Sequence, residues 1–220
     1  MDVYEAVRSR QSVRRFLDRP VPPVVLRRVL IAAMQSPSGG NLQPWHVYVL
    51  CGATLDDLKT RIRRRVAAGD LGDQPPIPPY PLILPVRYAQ RLQDMGARRY
   101  GAVGADRDDR EARARVRAGN WEGWGATTVL FCYLESTMLP PQWMDVGMFL
   151  QTVMLLFRAE NIDSCPQIAW AEYHKTVAGV IGPSSNLVLA CGMSIGFADS
   201  DVPRPWMPRA QLSDAVSFMP

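Results

Sequence analysis

Residues 142–160 read QWMDVGMFLQTVMLLFRAE. The stretch is long enough for several helical turns, and its only charges are Asp145, Arg158 and Glu160. A helix that is apolar on nearly every side needs partners on every side, so this one belongs at the centre of the fold. Strand-like segments surround it in sequence. ATTVLFCYL (126–134) reads as a buried strand, NLVLACGMSIG (186–196) as another, and HVYVLC (46–51) as a short β-rich run. Helical segments outnumber strands, which points to an α+β domain with room for a large subunit interface.

The remaining elements follow from local signals. Asp2 and Glu5 form a capping box before a short helix. Pro23 opens a second helix whose apolar face is Leu26, Val29, Leu30 and Ala33. Thr54 and Asp57 are placed to cap a third, ending near Gly69. Residues 70–85 contain QPPIPPYPLILP, too rich in proline for helix or central strand. From 86 to 120 the chain has helical propensity with a break at GAVGAD. A turn at NIDS leads into CPQIAW and a helix from about Tyr173 to Ile181. The tail, 197–218, is interrupted by prolines and cannot bury itself alone, so it should wrap over something. No internal repeat or linker divides the chain, and 1–220 reads as one domain.

Composition narrows the function. With 47% apolar and 21% charged residues, the chain has the balance of a globular protein rather than a disordered one. No apolar run reaches the roughly 18 residues of a membrane span, and MDVYEAVRSR lacks the apolar core of a secretory signal. Cys51, Cys132, Cys165 and Cys191 are scattered without a C-x-x-C, which suits free thiols in a reducing cytoplasm. The net charge is +4, carried almost wholly by arginine, with Lys59 and Lys175 the only lysines. The run Arg61–Arg65 flanks an apolar stripe and reads as a solvated face, and no nucleic-acid-binding module accompanies it. His46 and His174 fit neither a metal site nor a catalytic triad.

Two segments carry chemistry. In RSRQSVRRF (8–16), an extended backbone from Gln11 to Arg15 would turn Arg10, Ser12 and Arg14 to one side. Two guanidinium groups and a hydroxyl suit a phosphate monoester, the alternative being exposed arginines with no ligand. In SPSGGNLQPW (36–45), Gly39 and Gly40 let backbone approach a ligand closely. Asn41 and Gln43 supply donors and acceptors for a heterocyclic edge or a ribityl hydroxyl. Neither a P-loop nor a dinucleotide-binding glycine motif is present.

In this order, RSRQSVRRF, SPSGGNLQPWHVYVL, SCPQIAW and CGMSIGF before an arginine-containing tail resemble the nitroreductases, FMN-dependent NAD(P)H oxidoreductases. The resemblance spans nearly the whole chain except about 70–120. It implies an α+β fold with a central mixed β-sheet surrounded by helices, in an intertwined homodimer with two FMN sites at the interface. It implies that Arg10, Gln11, Ser12 and Arg14 meet the flavin phosphate and ribityl chain, with Arg209 from the tail completing the phosphate site. Pro37, Ser38, Gly39, Asn41 and Gln43 would reach the flavin of the other subunit. Pro166, Gln167, Ile168 and Ala169 would lie along the isoalloxazine, a backbone N–H near Ile168 facing N5. Ile168 stands where the family often has an acidic residue, so a side-chain role there is lost.

The same resemblance implies ping-pong turnover, in which hydride passes from NADH or NADPH through flavin N5 to a nitroaromatic or quinone. No catalytic side chain is required, because the cofactor carries the hydride. Residues at about 70–120 would form a variable, lid-like insertion. Among the aromatics Tyr80, Tyr88, Tyr100, Trp121 and Trp124, we take Tyr88, Trp121 and Trp124 as candidate substrate contacts. Lid-bearing relatives act on halotyrosine or on flavin itself, and the scarcity of lysine argues against the first. A flavin-binding protein without turnover and an arginine-rich adaptor for acidic partners are the readings from other classes.

Overall fold

A computed structural model describes residues 1–219. Its helices are α1 (Val3–Ser9), α2 (Pro23–Ala33), α3 (Gly52–Ala67), α4 (Val86–Gly101), α5 (Arg110–Ala118), α6 (Pro140–Ala159) and α7 (His174–Ile181). The strands are β1 (His46–Cys51), β2 (Thr128–Glu135), β3 (Asp163–Gln167) and β4 (Leu187–Gly196). They form one sheet in the order β1-β2-β4-β3, with every strand pair antiparallel. Parallel pairing enters through an isolated bridge from Ser12 to Ser164.

β2 explains why its sequence shows no polar alternation. Successive side chains point to opposite faces, and both faces are covered. Leu130, Cys132 and Leu134 pack with Val29 and Ala33 of α2 and with Val146, Phe149, Val153 and Phe157 of α6. Val129, Phe131 and Tyr133 pack on the other side with Leu55, Leu58 and Ile62 of α3 and Val177 of α7. Each such apolar side chain contributes about 1.5–3 kcal/mol when fully buried.

The chain gathers into two compact units, Met1–Pro79 with Arg117–Ser200, and Tyr80–Val116 with the tail from Asp201. The first holds the sheet and its helices. The second holds α4, most of α5 and a tail that includes, among its described residues, a short 3-10 turn at Leu212–Asp214. No helix among the described residues is long and apolar enough to cross a membrane.

Several sequence expectations shift in detail. α6 starts two residues before Gln142, because Pro140 and Pro141 suit a first turn that needs no N–H. Within one chain it is buried on one side only, and Met144 and Met148 remain 66% and 41% exposed. α3 begins at Gly52, so Thr54 and Asp57 lie inside it rather than cap it, and Asp57 pairs with Arg61 one turn on at 2.9 Å. Asp2 accepts the Glu5 N–H at 2.8 Å. β3 starts inside the expected NIDS turn and tolerates Pro166 because it is an edge strand.

Candidate active site

The segment after α1 is extended and stitched to the sheet. The Val13 N–H donates to the Ser164 carbonyl at 3.1 Å, and the Phe16 N–H to the Trp124 carbonyl at 3.0 Å. Val13 and Phe16 are buried with Ala126 and Cys165. Ser12 and Arg14 flank Val13, so period-two alternation turns both away from that core. Arg10, Gln11, Ser12 and Arg14 are all half-buried, and Arg14 Nη1 reaches the Ser12 carbonyl at 3.4 Å. Arg15, by contrast, is exposed and lies 3.8 Å from Asp199.

Beside this arm, β3 ends in a 3-10 turn, Ile168–Tyr173. Gln167 was expected at the cofactor, but its side chain is committed to the core. Its Nε2 donates to the Asn120 carbonyl at 2.7 Å, and its Oε1 accepts the Ser194 hydroxyl at 2.5 Å. Its backbone in turn pairs with Gly192 of β4. Ile168 is 47% exposed, Pro166 and Ala169 are half-buried, and the opening N–H groups of the turn have no acceptor within it.

Trp121, expected to meet substrate, is packed into the core of the first unit. It is 6% exposed, packs edge-on against Tyr173 with centroids 4.9 Å apart, and donates from Nε1 to the Ala169 carbonyl at 2.9 Å. It therefore braces the 3-10 turn from beneath. Trp124 is half-buried in a tight turn with φ 56°, and its carbonyl holds Phe16. In the second unit Tyr88 is 40% exposed, with the Arg87 guanidinium 4.6 Å above its ring and Arg91 at 5.9 Å. Arg209, also in that unit, donates to the Met207 carbonyl of its own segment at 2.7 Å.

The loop 36–45 hangs on α6. The Gly39 N–H donates to Asp145 Oδ1 at 3.2 Å, and Trp45 stacks on Phe149 with centroids 4.8 Å apart. Between these anchors Gly40, Asn41 and Gln43 adopt φ values of 58°, 57° and 50°. Left-handed backbone at two non-glycine residues is unfavourable, and it persists because hydrogen bonds over-determine it. The Gln43 N–H donates to Ser38 Oγ at 2.9 Å, and Gln43 Nε2 to the Asn41 carbonyl at 3.1 Å. Asn41 and Pro37 are exposed, and Ser38 is half-buried.

Gly39 tests whether this loop fits a flavin. A Cβ there would meet nothing closer than Asp145 Oδ2 at 3.9 Å, an ordinary contact, and its φ lies outside the left-handed region. Neither packing nor backbone in this chain requires glycine at 39. A molecule lying close against the backbone does account for it. With half-buried guanidinium groups at Arg10 and Arg14 for a phosphate, and the open Ile168 turn for a flat ring, the residues present fit FMN.

Sequence reading missed Asp145. The signal was there: it is the one carboxylate inside an otherwise apolar helix. It is 4% exposed, and its Oδ2 has no hydrogen-bond partner. Among the described residues no group of three His, Cys, Asp or Glu side chains could hold a metal. His46 is exposed, and burial lowers the pKa of His174 on the α7 side.

Comparison with known proteins identifies the family. The family model described as "Nitroreductase family" matches residues 7–197. The chain is 31% identical to 4-nitrobenzoate reductase of Pseudomonas putida, over 99% of this chain and 96% of the relative. Among solved structures it is similar to the FMN and NADPH-dependent nitroreductase NfnB from Sphigopyxis sp. strain HMH, with TM-score 0.97, 37% identity and full coverage of both chains. It is also similar to the FMN-dependent nitroreductase NfnB from Mycobacterium smegmatis, solved in complex with NADPH, with TM-score 0.93, 30% identity, and 99% and 97% coverage. The chain belongs to the nitroreductase family.

Proposed function

We propose that this protein is an FMN-dependent oxidoreductase that reduces nitroaromatic compounds or quinones, with NADPH as electron donor in preference to NADH. One observation carries the reading. A chain similar over its full length to an FMN and NADPH-dependent nitroreductase presents, at Gly39, bare backbone that its own fold does not require. When bound, FMN supplies the hydride chemistry, so the chain has to hold and orient rather than donate protons.

Arg10 and Arg14, with Ser12 between them and the Gln11 backbone beside it, would hold the phosphate, Arg209 adding a further guanidinium. Pro37, Ser38, Gly39, Asn41 and Gln43 would border the ring and ribityl chain. Pro166, Ile168, Ala169 and the backbone of Gln167 would lie along the ring. Residues 70–120 would act as the substrate cover of a single domain, with Tyr88 and Trp124 as candidate contacts.

A second copy of this chain completes the reading. The face of α6 bearing Met144 and Met148 is apolar and uncovered in one chain. An apolar groove of about 450 Å³, lined by Leu26, Leu30, Met34, Val47 and Phe149 among others, opens beside it. The arm and the loop are also anchored near opposite ends of α6. Arg158 of α6 holds Ser9 at 3.1 Å, just before the arm, whereas Asp145 holds the loop. At 1.5 Å per residue those anchors are separated by about 20 Å along the helix, which suits two flavins better than one. The reaction belongs in the cytoplasm on this reading, supported by four free cysteines.

Purification with FMN and sedimentation test this together. The expected result is a yellow dimer carrying one FMN per chain. A colourless monomer that cannot be reconstituted with FMN overturns it.

A further inference from the structure

We infer that Asp145 is the positioning residue that holds the loop 38–43 in its flavin-receiving shape, at a cost to the stability of the chain. The inference rests on the proposed flavin site and concerns a residue that does not itself touch the flavin.

The observations are these. Asp145 is 4% exposed in a helix otherwise packed through Val146, Phe149, Val153 and Phe157. A carboxylate taken out of water needs its lone pairs satisfied, and this one has a single hydrogen bond, from the Gly39 N–H at 3.2 Å. Oδ2 is buried and unpartnered, and so is Nε1 of Trp45, which stacks one helical turn further on. For folding alone, an apolar residue of the same volume would serve better, since replacing an under-satisfied buried polar group is often neutral or stabilising.

What the carboxylate does achieve is local. Gly39 is the first residue of a 3-10 turn, and the next residues include three in left-handed conformations. The Ser38 hydroxyl ties the far side of that turn by accepting the Gln43 N–H. Asp145 ties the near side to α6, and a charged acceptor makes the stronger bond to a backbone N–H. With both ties the loop enters binding already ordered, which removes an entropic cost from association. Without Asp145, Gly39 and Gly40 are free to sample the wide conformational space open to glycine.

The test uses the full-length apoprotein, with FMN and riboflavin affinity read by quenching of flavin fluorescence and stability read by thermal unfolding of the flavin-free chain. Asp145→Leu is expected to unfold at the wild-type temperature or above it. It should bind FMN and riboflavin more weakly by a similar factor, about tenfold or more, as expected for loss of a charged hydrogen bond. Asp145→Asn, which keeps an oxygen facing Gly39, is expected to recover most of that loss. A merely structural role would move stability and affinity in the same direction. Unchanged affinity in Asp145→Leu overturns the inference, as does a loss confined to FMN, which would place the effect at the phosphate. Equal losses in the Leu and Asn variants also overturn it. A wild-type chain with no affinity for either flavin overturns this inference and the proposed function together, whereas normal wild-type binding with an unaltered Leu variant removes the inference alone.

Discussion

Arg65 Nη2 lies 3.1 Å from Asp73 Oδ1, and the same guanidinium reaches Asp70 Oδ2 at 2.6 Å and Thr176 Oγ1 at 2.8 Å. It also sits 4.9 Å over the ring of Tyr173. One side chain at the end of α3 thereby pins the start of the proline-rich segment to α7 and to the 3-10 turn that follows β3. Asp73 is nearly buried, its side chain 7% exposed.

Arg65→Ala should therefore destabilise the fold by about 2 kcal/mol, measured by urea unfolding near neutral pH, because it strips a largely buried carboxylate of its cation. Burial alone would raise the Asp73 pKa, but hydrogen bonds from Arg65 and the Lys175 N–H outweigh it and hold the group below its ordinary 3.8. A depressed carboxylate contributes stability that is fully present above the ordinary value and lost as pH falls through the lower folded value. The wild type should thus lose more stability than Arg65→Ala between about pH 5 and about pH 2. Parallel pH profiles would count against the clip.

How much of this was legible in advance depended on whether a residue's partners lie near it in sequence. The apolar run 126–134 announced a buried strand and 142–160 a long apolar helix, because burial is written in side-chain type, whereas the uncovered side of that helix within one chain was not announced. The bare loop and the extended RSRQSVRRF arm stood out by their glycine, amide and arginine content. The side-chain partners of Trp121 and Gln167 were not legible. Their polar atoms meet the carbonyls of Ala169 and Asn120, each more than forty positions away in sequence, and no local pattern records such pairings. Asp145 was passed over for the same reason, since a lone aspartate in a helix does not reveal that it faces Gly39.

If residues 10–14 hold the phosphate as proposed, Arg14→Ala should weaken FMN binding by about 1.5–3 kcal/mol, the range for hydrogen bonds to charged groups. Riboflavin, lacking the phosphate, should bind mutant and wild type alike. Equal losses for the two flavins would mean that Arg14 supports folding of the arm instead.

Gly39→Val separates fold from ligand. The chain has room for a Cβ at that position, with its nearest neighbour 3.9 Å away. Unfolding free energy should therefore stay within about 0.5 kcal/mol of wild type, as for a tolerated surface change. Flavin affinity should nevertheless fall if the ring lies against this loop as proposed, since the added methyls would then occupy its space. A mutant that keeps full affinity removes the loop from the site.

The uncovered face of α6 predicts the assembly. Met148→Arg places a charge on the exposed apolar face that the proposed dimer would cover, an interface on the order of 2,000 Å² if obligate. Sedimentation should show dissociation and loss of flavin together. A mixed dimer of one Gly39→Val chain and one Arg14→Ala chain should retain one undamaged flavin site. Two equally weakened sites would show that loop and arm of a single chain surround the same flavin.

The most direct test of the central claim is a two-step anaerobic titration of the FMN-loaded protein, followed by flavin absorbance. NADPH added alone should bleach the flavin band, and a nitroaromatic such as 4-nitrobenzoate added next should restore it with consumption of the nitro compound. A flavin band that does not bleach with NADPH or NADH, or that stays bleached in the presence of nitroaromatics and quinones alike, would contradict the account.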